Sequence, residues 1–317
     1  MVMNPQEEAL RETVIAREVE NETGRRYEAG EVLRQSSLWR DAVRRFMHNR
    51  AALIAMVAFV ILLLYVVIVP WIVPYDPNEV DFSIAYLTPT WSHPFGTDEF
   101  GRDLFLRTAL GGRISIGIGF AATIAIMVVG ILYGAISGFI GGWLDNGMMR
   151  FLDALYGLPY LPFAIITLAI FGTVNFWTMV IALTVASWFT TARVMRGQIM
   201  SLKENDYVRS ARAIGARWHR VLFRHLLPNT LGVVIVFVFL ELPGVVLGEA
   251  FLSFLGLGIN PPDASWGSLA QDGYTQYLSH PYLIVIPSIA IAWLILSAFF
   301  IADGLRDALD PRMQEAA

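Results

Sequence analysis

The sequence predicts an all-α integral membrane protein with six transmembrane helices. Hydrophobic residues make up 56% of the 317 residues and charged residues only 16%, whereas a soluble chain carries roughly a quarter charged residues. The mean hydropathy is +0.54. The apolar residues fall in long uncharged runs, each able to cross or nearly cross a bilayer. The same composition excludes an intrinsically disordered chain. A net charge of -4 argues against a nucleic-acid binder.

Residues 1–45 are polar and read as a cytoplasmic N-terminal extension. Neighbours such as Arg17 with Glu18, and Glu22 with Arg25 and Arg26, suit a solvated helix, a flexible arm or a segment packed on a partner. Met1-Val-Met-Asn-Pro lacks a basic stretch followed by an apolar one, so no secretory signal is predicted there. The first span is assigned to 46–74. Its uncharged part, Ala51 to Pro74, reaches across a core of about 30 Å at about 1.5 Å per residue. Pro70 and Pro74 are expected to end it.

Residues 75–112 carry Pro, Asp and Gly turn signals and read as an external loop. Residues 113–302 then hold five more helices. Ile114 to Trp143 is uncharged and rich in Gly and Ala, which suits close packing between membrane helices. After a polar link with Asp145, Arg150 and Asp153, the stretch Ala154 to Ala192 is too long for one span. Gly172-Thr173-Val174-Asn175 is its natural break, giving two helices and a tight hairpin. Leu231 to about Leu247 is the fifth span and Tyr282 to Ala302 the sixth. Residues 303–317 form a charged tail.

Orientation follows from the basic residues. Residues 193–230 carry Arg193, Arg196, Lys203, Arg209, Arg212, Arg217, Arg220 and Arg224, while 172–175 and 248–281 carry no Lys or Arg. An inside N-terminus puts the basic segment inside after four spans, with Arg40, Arg44, Arg45 and Arg50. Both termini are then cytoplasmic. The 75–113 loop, with Arg102, Arg107 and Arg113, fits this rule least well.

Cysteine is absent, so disulfides, thiolate nucleophiles and Cys-ligated metals are excluded. Lys203 is the single lysine among 23 Lys and Arg residues, and no Gly-Lys pair occurs, which excludes a P-loop. Any ATP must be bound by another chain. His93, Asp98 and Glu99 are too few and too loosely spaced to define a metal site, and none is assigned.

The segment from Asp206 to Asn229 carries the most information. Asp206 can cap a short helix of small residues and arginines. Gly215 permits a sharp turn. A second basic helix, Arg217 to Leu227, leads to Pro228, which can open the next span. The product is a helix–turn–helix projecting from the membrane, able to enter a groove on another protein or to lie on anionic lipid.

This segment resembles the EAA loop of ABC-importer permeases. Their pattern is Glu-Ala-Ala, three residues, Gly, then a spacer and an apolar-x-Leu-Pro ending. Arg209, Ser210 and Ala211 hold the Glu-Ala-Ala positions, followed by Arg212, Gly215, Ala216, Leu227 and Pro228. Arg209 departs from the acidic residue and His225 from the apolar one. Three further segments resemble the second permease subunit of the dipeptide/oligopeptide/nickel branch. They are Phe95 to Ser115, with Gly96, Thr97, Asp98, Gly101, Arg102 and Asp103; Glu249 to Gly267, with Ser253, Gly256, Pro261 and Pro262; and Asp303 to Arg312. The resemblance covers about 40–312.

It implies a type I importer permease fold and a subunit without catalytic residues or a cofactor of its own. ATP and Mg would sit on one or two ATP-binding partners docked on the EAA loop. A second homologous permease, an extracytoplasmic binding protein and membrane lipid would complete the surroundings, in a bacterial inner membrane. Di- or oligopeptides are the implied substrates, with nickel or another small solute as the alternative. A self-sufficient secondary transporter would need ion-coupling residues and repeats that the sequence does not display. An intramembrane enzyme would need a Cys, a metal-binding His pair or a Ser–His pairing on the spans, and the sequence displays none of these. Glu241 is the one formal charge expected inside the membrane, where it should face the pathway or an interhelical hydrogen bond. The external segments 95–103 and 249–267 fit either structural loops or contacts with the binding protein and the outer gate.

Overall fold

The computed structural model describes residues 38–309. The Arg and Glu residues of 17–26 and the end of the last signature, Asp310 to Arg312, lie outside the described residues. The chain divides into units Met1–Arg44 and Arg45–Ala317. Helix α1 is Leu38–His48. The described residues contain no strand, only one isolated bridge between Thr97 and Asp103. Among the described residues five helices are long and apolar enough to cross a membrane, or six if one bent pair of shorter helices counts as a single span.

Helix α2, Arg50–Ile72, starts where the Asn49 side chain accepts the amide of Ala52 at 3.2 Å. It does not stop at Pro70 but runs two residues further. Proline lacks the N–H that would bond the carbonyl four residues back, here Val66. Arg113 supplies the missing donor: its Nε reaches Val66 O at 3.0 Å and its Nη2 reaches Val67 O at 2.8 Å.

Helix α3, Leu104–Ile140, begins ten residues before the expected Ile114. Asp103 caps it, accepting Leu106 N–H at 2.7 Å. Arg107 and Arg113, assigned to the external loop, are therefore helical. Their charges lower the local hydropathy without breaking the helix. At 37 residues α3 is about 55 Å long and exceeds the hydrocarbon core.

The third span differs most from expectation. Helices α4, Gly142–Tyr156, and α5, Tyr160–Phe171, meet at 92° instead of forming one rod from Ala154. Pro159 cannot donate to a continuing helix and holds Leu158 away from helical geometry. Helix α5 ends at Gly172, and Asn175 with Thr178 forms a capping box that opens α6, Phe176–Leu202.

Helix α6 lies against α3 along Gly130, Gly134 and Gly138, one per helical turn. A Cβ on Gly134 would stand 2.1 Å from Ala192 O, and one on Gly138 would stand 2.7 Å from Arg196 O. At the end of this seam Arg196 grips Asp145 with Nε at 2.5 Å and Nη2 at 2.6 Å, while Ser137 Oγ donates to the same carboxylate at 2.5 Å. Arg193 pairs with Asp153 at 2.9 Å. Two arginines assigned to the cytoplasmic loop thus belong to a helix and to acidic partners.

After the short helices α7, Asp206–Ala213, α8, Trp218–Arg220, and α9, Leu227–Asn229, comes α10, Leu231–Leu252. It passes the expected end at Leu247 and continues through a π-helical turn, Ser253–Leu257. Glu249 is therefore part of a spanning helix, and Glu241 is not the only charge within one. Helix α11, Trp266–Tyr274, is short, and α12, Tyr282–Leu309, includes the first half of the expected tail. Phe59, Leu62 and Val66 of α2 pack with Leu242, Trp266, Leu294 and Ala298 in one core. Ile118, Ile126, Met179, Leu183, Val245 and Leu252 form another around α3, α6 and α10.

Candidate functional site

Two ends of the helix assembly carry polar structure. At the first, α10 begins beside the end of α12: Leu309 lies 3.9 Å from a Cβ placed on Gly232. Near this end Ala52 of α2 meets Gly304 of α12. The segment between α6 and α10 belongs here. Lys203 caps α6 and donates through Nζ to Gly138 O at 2.9 Å.

Helix α7 is preceded by Asn205 rather than capped by Asp206. Asp206 occupies the first turn, where its charge favours the helix N-terminus without a side-chain hydrogen bond. The helix closes in a Schellman motif: Gly215 N–H bonds Arg212 O at 2.9 Å, and Ala216 N–H bonds Ala211 O at 3.0 Å. Gly215 sits at φ 83°, the left-handed position the motif requires. Arg209 faces Glu204 at 3.4 Å, both exposed, and Arg212 stacks over the Phe139 ring. Ser210 is exposed, whereas Val208 and Ala211 are buried.

The second arm is not a uniform α-helix. It has one turn at α8, a π-helical segment from Val221 to Leu226, and Pro228 within α9 rather than opening the span itself. Val208, Val221, Leu222 and Leu226 are fully buried against Ile199 and Ala135. Asn229 Nδ2 donates to Tyr207 OH at 3.1 Å and ties the two arms. The loop thus has a hard apolar seat and a bare tip. Ile214, at the turn, is 87% exposed. Sequence reasoning passed over it because one apolar residue beside a glycine carries no periodic signal.

At the other end, residues 81–103 fold on themselves. Asp98 accepts the amides of Phe100 and Arg102 and binds Arg102 Nε at 2.7 Å, with Arg107 Nε at 3.5 Å. Asp103 Oδ2 pairs with His93 Nδ1 at 2.7 Å. His93, Asp98 and Glu99 therefore do not converge, and no group of three metal-ligating side chains occurs among the described residues. Thr97 is fully buried; its Oγ1 donates to Ile84 O and accepts from Leu87 N. Gly96 is buried and has φ 76°. A side chain at Gly101, also φ 76°, would collide with the Asp81 carbonyl. Hydrogen bonds from the Ser83 hydroxyl and amide hold the Asp81 carboxyl below its ordinary range. Tyr282 OH lies 2.9 Å from Thr97 O and joins the loop to α12.

The two carboxylates of α10 occupy different settings. Glu241 is partly buried and makes no hydrogen bond or ion pair among the described residues. Glu249 is completely buried. Ser253 Oγ donates to its Oε1 at 2.7 Å and Ser115 Oγ to its Oε2 at 2.9 Å. Ser115 Oγ in turn accepts Trp266 N–H at 3.1 Å, and Trp266 Nε1 donates to Thr108 O at 2.8 Å. Glu249 thereby links α3, α10 and α11. Gly256, at φ 82°, turns the chain away after it. Sequence spacing could not show this, because Ser115 and Glu249 are 134 residues apart.

Residues 130–315 match the family of binding-protein-dependent transport system inner membrane components. Residues 37–89 match the N-terminal transmembrane domain of oligopeptide transport permease C. The chain is 41% identical over 278 residues to the oligopeptide transport permease OppC of Haemophilus influenzae, covering 87% of this chain and 89% of that one. It is 42% identical over 281 residues to OppC of Escherichia coli K12, covering 87% and 92%. The dipeptide permease DppC of Bacillus subtilis is 39% identical over 289 residues, covering 90% of each chain. A chain of the MetNI methionine ABC transporter, in an inward-facing form, is similar over 63% of this chain and 94% of that chain, at 17% identity and a TM-score of 0.49.

Proposed function

The chain belongs to the inner membrane components of binding-protein-dependent transport systems, and from that premise we propose that it is the permease subunit of an ATP-driven importer of di- or oligopeptides. It forms half of the translocation pathway with a second permease. ATP and Mg are handled by one or two separate ATPase subunits, and an extracytoplasmic binding protein delivers the peptide. Relatives named for oligopeptide and dipeptide transport support this substrate over nickel. They also disfavour a self-sufficient secondary transporter.

The observation that carries the coupling role is the 203–230 loop. Its arms are stiffened by the buried seat around Val208 and Leu222, while the Schellman turn presents Ile214 to solvent. A rigid lever with one bare apolar residue at its tip fits a groove on an ATPase. In this reading the loop end, with both termini, is cytoplasmic. The Asp145–Arg196 clamp transmits its motion to α3, α4 and α6. The 95–103 and 249–267 segments face outward, towards the binding protein.

The test is affinity purification of the full chain in mild detergent with its co-expressed genetic neighbours, followed by mass spectrometry and transport in proteoliposomes. Recovery of a second permease and ATPases, with ATP-dependent peptide uptake, is the expected result. Transport by the chain alone without ATP would refute it. Within that assay Gly215→Val should cut ATP-dependent uptake at least about tenfold and weaken ATPase retention. Open space around Gly215 limits the cost to local strain of about 1–2 kcal/mol. Normal coupling in this variant would remove the turn from the mechanism.

Glu241 is assigned to the pathway, where its carboxylate meets a substrate amino group. Glu241→Gln should raise the KM for peptides with a free amino terminus and leave assembly intact. An unchanged KM for free and acetylated peptides alike would dismiss this role.

A further inference from the structure

A cavity of about 290 Å3 lies between the segment after α2, the first turns of α3 and the turn before α11. Arg107, Arg113, Asn78 and Asp263 line it together with the apolar side chains of Leu110 and Ile114. Neither the coupling loop nor Glu241 reaches it.

Among the charged side chains that line it are two guanidiniums and one carboxylate, Asp263; Asp98 and Asp272 are further acidic neighbours of Arg107, and Arg102 a basic one. Arg107 is 5% exposed, and its Nε makes no hydrogen bond, with Asp98 at 3.5 Å as an ionic neighbour behind it. Its Nη1 reaches only Pro77 O, at 3.4 Å. Arg113 spends Nε and Nη2 on the Val66 and Val67 carbonyls, which fixes the guanidinium and leaves Nη1 without a hydrogen bond among the described residues. A fixed planar donor beside a second guanidinium suits a tetrahedral oxyanion.

Depth identifies the source of that anion. Arg50 opens α2, and Val66 stands about 24 Å along the helix from it at about 1.5 Å per residue. Arg107 lies about 9 Å further along α3 from Arg113, towards the helix N-terminus. The pair therefore straddles the edge of a hydrocarbon core of about 30 Å. Trp71, 81% exposed one turn beyond Val67, is the residue type that settles at this level. Leu110, between the arginines, and Ile114, just after them, offer an apolar wall to an acyl chain.

We propose that this cavity is a binding site for the phosphate of an anionic phospholipid, held by Arg107 and Arg113 in the leaflet adjoining residues 73–103.

Native mass spectrometry of the full chain in detergent, titrated with phosphatidylglycerol, phosphatidylcholine or inorganic phosphate, tests the site. Phosphatidylglycerol should be retained in preference to phosphatidylcholine. Arg113→Gln should lower that retention about fivefold, the effect of one basic contact at an anionic surface. Because Arg113 also supports α2, Asn78→Glu is the companion variant. It places a carboxylate at the exposed rim, disturbs no packed side chain, and should lower retention by a similar factor. Equal retention of both lipids, or undiminished phosphatidylglycerol binding in Asn78→Glu, would overturn the proposal. Displacement of the lipid by millimolar inorganic phosphate would overturn the lipid source and assign the site to free phosphate.

Discussion

Gly134→Leu is expected to eliminate folded protein from detergent extracts. A Cβ at this position would stand 2.1 Å from the Ala192 carbonyl oxygen and 2.9 Å from the Arg196 amide nitrogen. Both are backbone atoms within α6 and cannot rotate aside. Relief requires moving α6 away from α3, and the loss then spreads along the seam. Gly130 and Gly138 would lose their close approach, and Arg196 would be drawn from Asp145. Ordinary overpacking of a core costs about 1–3 kcal/mol because side chains can adjust. Here the obstacle is main chain and the cost should exceed that range. Gly147→Ala is the control, since nothing lies within 4 Å of its added Cβ. It should be neutral or gain up to about 1 kcal/mol from helix propensity. Fluorescence-detected size exclusion with a thermal ramp compares the two. A Gly134→Leu protein as stable as wild type would show that the α3–α6 seam is dispensable.

The second large effect is expected at Glu249. Glu249→Ala removes the acceptor from the Ser115 and Ser253 hydroxyls and opens a cavity among α3, α10 and α11. Each buried donor left without a partner costs about 1–3 kcal/mol, so a loss of about 2–6 kcal/mol follows before the cavity is counted. Glu249→Gln keeps one oxygen acceptor and much of the volume, and should fall between. The readouts are the melting temperature in detergent and peptide uptake in proteoliposomes. Both should drop most in the alanine variant. Full stability and uptake in Glu249→Ala would mean that α11 is held by Trp266 and its apolar neighbours alone.

Glu249 also marks how far a sequence can be read. Its neighbourhood ends in Ser-Phe-Leu-Gly-Leu-Gly and sits after Pro243, which suggests a loop. The helix passes through because proline at that place does not stop α10, and a π turn absorbs the change of direction before Gly256. The early start of α3 has a similar origin. Hydropathy places a boundary where charge appears, whereas a helix ends where its cap is. Asp103, not Ile114, is that cap. Among the loop residues, Gly215 and Ala211 could be placed because the turn has a chemical rule. Ile214 could not, since its importance lies in being uncovered.

The sequence by itself determined the class of the protein: long uncharged runs and sparse charge give a helical multi-span membrane protein, and its ordered motifs place it among importer permeases. It also determined the turn at Gly215, because a glycine in a fixed frame of small and basic residues encodes a local change of direction. Tertiary structure alone decided the α4–α5 bend angle, the Asp145–Arg196 clamp, the Ser115–Glu249–Ser253 cluster and the arginine cavity beside Pro70. Apart from the bend, which falls at the local break around Pro159, each joins residues distant in the chain, and their pairing follows from helices meeting in three dimensions rather than from any periodicity along one of them.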